Sequence, residues 1–325
     1  MTPDPPPARL TALQAVQGFL DSLEAEDQAE RAWVERQLLV LATDPAAFDP
    51  NLTYAARPLI HWLAHQGHTD GMGLALSMGL KAVTRAFDQS TALHAAAEKG
   101  RVACLALLLD AGADPNALDR DQRTPLHRAA GNNHGPAVSL LLARGAQRDA
   151  LDSEQSPPLF SALFGHTDSL AALLAAGADP NSRGNQDSAV AFAVQTHSLP
   201  CLELLWEAGA DLNCPSDYGW TPLHHAINRG FAEGVRWLLA HGADPLVLDT
   251  NADTLLHTVA DHGKLELVPD LLRAGVDPGA VDRQQRTAQQ RLVASSYADQ
   301  EPLFRRLLME HALPQSKDPG IRERF

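Results

Sequence analysis

The chain has 325 residues, 45% of them hydrophobic, enough to bury one large core or a row of small ones. Aromatics make up only 5% while Ala and Leu dominate, which favours thin, closely packed helices over a bulky aromatic core. A net charge of −14 argues against nucleic acid as a partner, because a basic stripe supplies most of the affinity for a phosphate backbone.

From the N-terminus, residues 1–8 carry the Pro-rich run TPDPPPA and are expected to be disordered. They lack a basic stretch followed by an apolar one, so no secretory signal is expected. Over residues 9–50 apolar side chains recur at helical spacing: Leu10, Leu13, Val16, Phe19, Leu20 and Leu23, then Trp33, Leu38 and Leu41. The acidic run DSLEAEDQAE lies between them. This pattern predicts two helices that extend and cap whatever follows.

From residue 51 to 313 the chain repeats itself. Thr91, Thr124, Thr221, Thr254 and Thr287 occupy one register, and steps of 33 separate 91 from 124, 221 from 254 and 254 from 287. The interval from 124 to 221 holds two further repeats that are together two residues short. A second word built on Gly-Ala-Asp recurs, and Gly112, Gly145, Gly242 and Gly275 each lie 21 residues after their Thr. Both words punctuate helices. Thr caps an N-terminus, a following Pro at the first helical position needs no amide proton, and Gly stops a helix in the left-handed conformation. Gly100 and Gly230 are expected to end first helices in this way. A second helix follows, with apolar spacing such as Val102, Leu105, Leu108 and Leu109. Pro136 and Pro200 fall at its start, whereas Pro269 lies three residues deeper and predicts a kink or a late start.

Thr124-Pro125-Leu126-His127 and Gly112-Ala113-Asp114-Pro115-Asn116 resemble the two signature words of the ankyrin repeat. The resemblance covers about four fifths of the chain. It implies an all-α solenoid of antiparallel helix pairs with hairpin-like finger loops, in which neighbours bury each other's apolar faces. Six internal repeats start near 91, 124, 156, 188, 221 and 254. Degenerate terminal repeats from Arg57 and Thr287 make about eight, and the last has extra residues between its helices. Repeat three (Ser156-Pro157-Pro158-Leu159-Phe160) lacks the His and its register is open by one residue. Repeat four (Ser188-Ala189-Val190-Ala191) lacks both Pro and His. Residues 314–325 are expected to form a mobile tail.

The residues with chemical potential have structural explanations. His94, His127, His224 and His257 share one repeat position, too far apart to converge on a metal; the resemblance gives them hydrogen bonds within and between repeats. His61 and His65 lie four apart with His68 nearby, but no HExxH follows. Cys104 and Cys201 share a core address, Cys214 sits on a finger, and three cysteines without CxxC spacing make no disulfide framework. No GxSxG, phosphate loop or distinctive carboxylate pair occurs, so neither catalysis nor a cofactor or metal is expected. No window approaches eighteen apolar residues, so no membrane span is expected. The chain reads as cytoplasmic, and its Ala-, Leu-, Arg- and Gln-rich usage as that of a GC-rich bacterial genome.

The resemblance also implies where a partner protein binds, namely on finger residues before the capping Thr and on positions late in the first helix. By register these are Arg120, Asp121, Arg123, Asn132, Asn185, Asp187, Tyr218, Trp220, Asn228, Arg229, Asp253, Asp261, His262, Arg283 and Arg286. Tyr218, Trp220 and Arg229 form the preferred anchor, since Tyr, Trp and Arg most often carry binding energy. Phe160 and Phe164 are a second candidate. The expectation is a non-enzymatic adaptor or inhibitor that is a monomer when unbound. Two alternatives stand beside it: a regulatory subunit docked through its N-terminal helices, and a substrate of asparagine hydroxylases at the finger residues Asn116, Asn181 and Asn213, a role the resemblance implies.

Overall fold

In the computed structural model, which describes residues 7–23, 28–54, 57–184 and 186–312, each of the five capping threonines starts a short helix. The chain divides into two units, Met1–Ala162 with His166–Ala178, and Leu163–Gly165 with Asp179–Phe325.

The first unit opens with α1 (Pro7–Ser22) and α2 (Gln28–Thr43), so helix begins inside the run expected to be disordered. A two-stranded finger, β1 (Thr53–Tyr54) against β2 (Arg57–Pro58), leads into the pair α3 (Leu59–Gln66) and α4 (Thr69–Ser77). Then come α5 (Ala92–Glu98) with α6 (Val102–Asp110), α7 (Pro125–Ala130) with α8 (Gly135–Ala143), and α9 (Pro158–Ala162) and α10 (Thr167–Ala175). Small residues let the first helices approach closely: Ala96, Ala97, Ala129 and Ala130 are all fully buried. The N-terminal helices lie on the first repeat. Phe19 meets His68 edge-on at 5.7 Å, filling space that a side chain at Gly71 would occupy, and Trp62 Nε1 donates to Glu30 Oε1 at 2.5 Å.

The second unit holds the finger β3 (Arg183–Gly184) and β4 (Asp187–Ser188), then α11 (Ala189–Gln195) with α12 (Leu199–Glu207), and α13 (Pro222–Arg229) with α14 (Ala232–Ala240). After α15 (Leu255–His262) comes a 3-10 turn at Leu265–Leu267, and only then α16 (Val268–Arg273). Pro269 thus produces the late start, because a proline is tolerated in the first turn and nowhere deeper. The unit ends with α17 (Ala288–Val293), a 3-10 turn at Ala298–Gln300 and α18 (Glu301–Ala312). The expected tail at 314–325 lies outside the described residues.

Each capping threonine but the last works with the His three residues on. In α7 the Thr124 backbone N–H donates to His127 Nδ1 (3.1 Å), which leaves the proton on Nε2, and that nitrogen reaches Ser156 O at 3.2 Å. His94 and His257 do the same toward Arg123 O (2.9 Å) and Arg286 O (3.0 Å). His224 makes the local bond but its buried Nε2 has no partner. At Thr287, Gln290 closes the box instead, with Oε1 accepting from the Thr287 N–H at 2.9 Å.

These bonds also fix the register of repeat three. Ser156 offers its carbonyl as Arg123 and Arg286 do, so the capping position is Pro157 rather than Ser156, and Phe160 takes the place of the His. Ser188 caps α11, its hydroxyl accepting from Ala191 N at 3.2 Å.

Candidate functional site

The second unit gathers five of the sequence-derived residues into one cleft of about 450 Å³: Asp187, Tyr218, Trp220, Asn228 and Arg229 all line it. Three fingers and two first helices position them. The finger at 216–220 is closed by Ser216 N–H donating to Trp220 O (2.8 Å), and Gly219 turns its tip at φ +76°. Tyr218 O accepts from the Thr250 hydroxyl at 3.1 Å, which ties this finger to the next and leaves the Tyr218 side chain 70% exposed. On its other side Arg183 reaches Pro215 O (2.9 Å) and Asp217 (3.1 Å). Trp220 is half-buried among the rings of His224, His225 and His262.

Polar groups run along the floor. Gln195 Nε2 donates to Asp187 Oδ2 at 2.7 Å, His225 Nε2 stands 3.5 Å from Asp187 Oδ1, and Arg229 Nη2 lies 3.5 Å from Gln195 Oε1. Burial pushes His225 below the usual imidazole range, against the pull of Asp187, so the ring is neutral at pH 7. Asp249 is already engaged, its Oδ1 accepting the Asn251 and Asp253 N–H groups. Arg229, whose one side-chain contact here among the described residues is the 3.5 Å approach to Gln195, is the charged group with the most capacity left for a ligand. An aromatic wall beside a row of donors and acceptors suits a peptide segment.

The remaining strip residues are placed differently. Asp253 is buried and Asp261 half-buried, and both are held by Arg291, whose Nη1 reaches Asp253 Oδ1 at 2.6 Å and Nη2 reaches Asp261 Oδ2 at 2.7 Å. Burial raises the Asp253 carboxyl, and Arg291 opposes this. Arg286 pairs with Asp282 at 2.9 Å, His262 Nδ1 meets Thr258 O at 2.9 Å, and Arg283 is exposed on the last finger. In the first unit Arg120 stacks 5.3 Å from the Phe87 ring centroid, Asp121 is exposed and Arg123 reaches Asp152 at 3.3 Å. Asn132 bonds back to Arg128 O at 2.8 Å. Asn185 lies outside the described residues. Phe160 is buried, whereas Phe164 is exposed and meets Phe192 edge-on at 5.4 Å.

Sequence reasoning missed His225, three residues before the marked Asn228, and Gln195, which stands at the repeat address of Asn228 in the preceding repeat. It also missed Arg291, whose partners lie 9 to 38 residues away with no word to announce them. The finger asparagines link neighbouring turns: Asn116, Asn181 and Asn213 each accept a backbone N–H (from Gln147, Asp211 and Asp244) at 2.7 Å. Burial raises the thiols of Cys104 and Cys201, consistent with packing. No cation near Cys214 is evident in the sequence, yet Arg183 Nη1 lies 3.7 Å from its Sγ. His61 bonds Thr84 O at 2.9 Å and His68 stacks on Trp62 at 5.0 Å. Among the described residues no three His, Cys, Asp or Glu gather where a metal could be held, and no helix is long and apolar enough to cross a membrane.

Known proteins agree with this architecture. Residues 93–142 match the family profile for ankyrin repeats in many copies, and residues 182–249 match that for ankyrin repeats in three copies. The chain is 47% identical over 60 residues to the 2-5A-dependent ribonuclease of Mus musculus, which covers 18% of this chain and 8% of that protein. It is 40% identical over 57 residues to protein phosphatase 1 regulatory subunit 27 of Homo sapiens (18% and 37%). To the B-cell lymphoma 3 protein homolog of Mus musculus it is 34% identical over 93 residues (28% and 21%). In each case the chain spans well under two thirds of the relative's length. Residues 93–142 and 182–249 are ankyrin repeats.

Proposed function

We propose that the chain is a non-enzymatic protein-interaction module, an adaptor or inhibitor in a bacterial cytoplasm, whose prefolded fingers and first helices hold a partner polypeptide. The carrying observation is the cleft in which exposed Tyr218 and half-buried Trp220 stand over Asp187, Asn228 and Arg229. Tyr and Trp supply contact area with few rotatable bonds, and a finger fixed on both sides loses little entropy on binding. The N-terminal helices cover the first repeat with Phe19 and Glu30, which favours a capping role for them over docking.

The test is capture from native lysate with the wild type and Tyr218→Ala/Trp220→Ala, after circular dichroism shows equal helicity. A protein retained by the wild type and lost by the variant supports the reading. Equal retention by both removes this cleft from it.

A further inference from the structure

A second cleft, of about 310 Å³, opens in the first unit between α3, α5, the finger at 86–90 and Arg128 of α7. Its acidic groups have local neighbours: Asp88 Oδ1 accepts the Ser90 backbone N–H (3.1 Å) and hydroxyl (2.6 Å), and Glu98 lies 3.7 Å from Lys99 Nζ. Two guanidinium groups keep free donors. The Arg57 side chain has no hydrogen bond or ion pair among the described residues, and neither has the Nη1 of Arg128, whose Nε and Nη2 both go to Asp119 Oδ2 (3.0 and 2.6 Å). His65 lines the same cleft with a buried Nδ1 that lacks a partner.

At the rim Phe87 is 81% exposed beneath the Arg120 guanidinium. Free guanidinium and imidazole donors thus converge beside an aromatic face. A guanidinium recognises a carboxylate or a phosphoryl group, but the nearby Asp88 and Glu98 disfavour a dianion more than a monoanion.

We propose that this cleft binds the side-chain carboxylate of an Asp or Glu in a partner polypeptide, with Arg57 as the ion-pairing group and Phe87 as the apolar flank. The proposal rests on the protein-binding reading above and adds the chemistry of one contact. Because the chain is strongly acidic as a whole, general attraction works against an acidic ligand, so any saturable binding of one reports a local site.

The probes are hexaglutamate and hexalysine peptides, titrated into the full chain while NMR follows the Arg57 side-chain N–H and the His65 ring. Hexaglutamate is expected to shift both resonances to saturation and hexalysine neither. Arg57→Gln should weaken binding about tenfold or more, as loss of a charged hydrogen bond implies, and Arg57→Lys should recover part of it. Tyr218→Ala/Trp220→Ala should respond as wild type, so failure here is distinguishable from failure of the other cleft. Absent shifts, equal response to hexalysine, or unchanged affinity in Arg57→Gln would overturn the proposal.

Discussion

Gly219 and Ala252 occupy the same turn of successive fingers, at φ +76° and +62°. A Cβ at Gly219 would lie 2.9 Å from Thr250 N, on backbone that has no room to yield. Gly219→Ala should therefore lower the unfolding free energy by about 1–2 kcal/mol, and Ala252→Gly should be neutral or stabilising, as urea denaturation would show. Histidine burial gives a pH dependence of known sign. Burial holds His61 and His224 at about 4, far below their usual 6.5. Between those values the unfolded chain binds protons that the folded chain refuses. Stability is thus complete above about pH 6.5 and falls as pH drops toward 4, by on the order of 3 kcal/mol per residue. Urea midpoints at pH 7 and pH 4.5 measure this, and His224→Gln should flatten the slope.

The helix pairs are held by local words, and those words were legible in the sequence because capping is decided within four residues. Thr124→Ala should cost about 1 kcal/mol by removing one half of the box with His127. Pro269 was legible for the same reason. Repeat three was less so: with Pro157 and Phe160 in place of Thr and His, nothing local marks the cap, and only the bond from His127 to Ser156 O sets it. Long-range ion pairs leave no trace in sequence at all. Arg291 joins Asp253, Asp261 and Asp282 across three elements. Removing it strands a buried carboxylate at Asp253, so Arg291→Ala should destabilise the last repeats by about 3 kcal/mol. Faster limited proteolysis within 287–312 would accompany the loss, and an unchanged urea midpoint would contradict it.

At the scale of the whole molecule, repetition makes the candidate site partly readable. Register places Asp187, Tyr218 and Trp220 on fingers and Asn228 and Arg229 late in a first helix, and the fold brings them into one cleft. Register alone cannot separate a side chain facing a partner from one already bonded within the chain, which is why Asp253, Asp261 and Arg286 were marked alongside them. The second helices carry an aromatic cluster of their own, Trp206, Trp237 and His241, with Trp206 exposed. That cluster supplies a control for the central claim. Calorimetry of the captured partner should show Tyr218→Ala/Trp220→Ala weakening binding by at least about 2 kcal/mol, roughly thirtyfold, as expected for interface anchors. Trp206→Ala should leave the affinity unchanged. Loss of affinity in Trp206→Ala with none in the double variant would place the partner on the second-helix face and contradict the account.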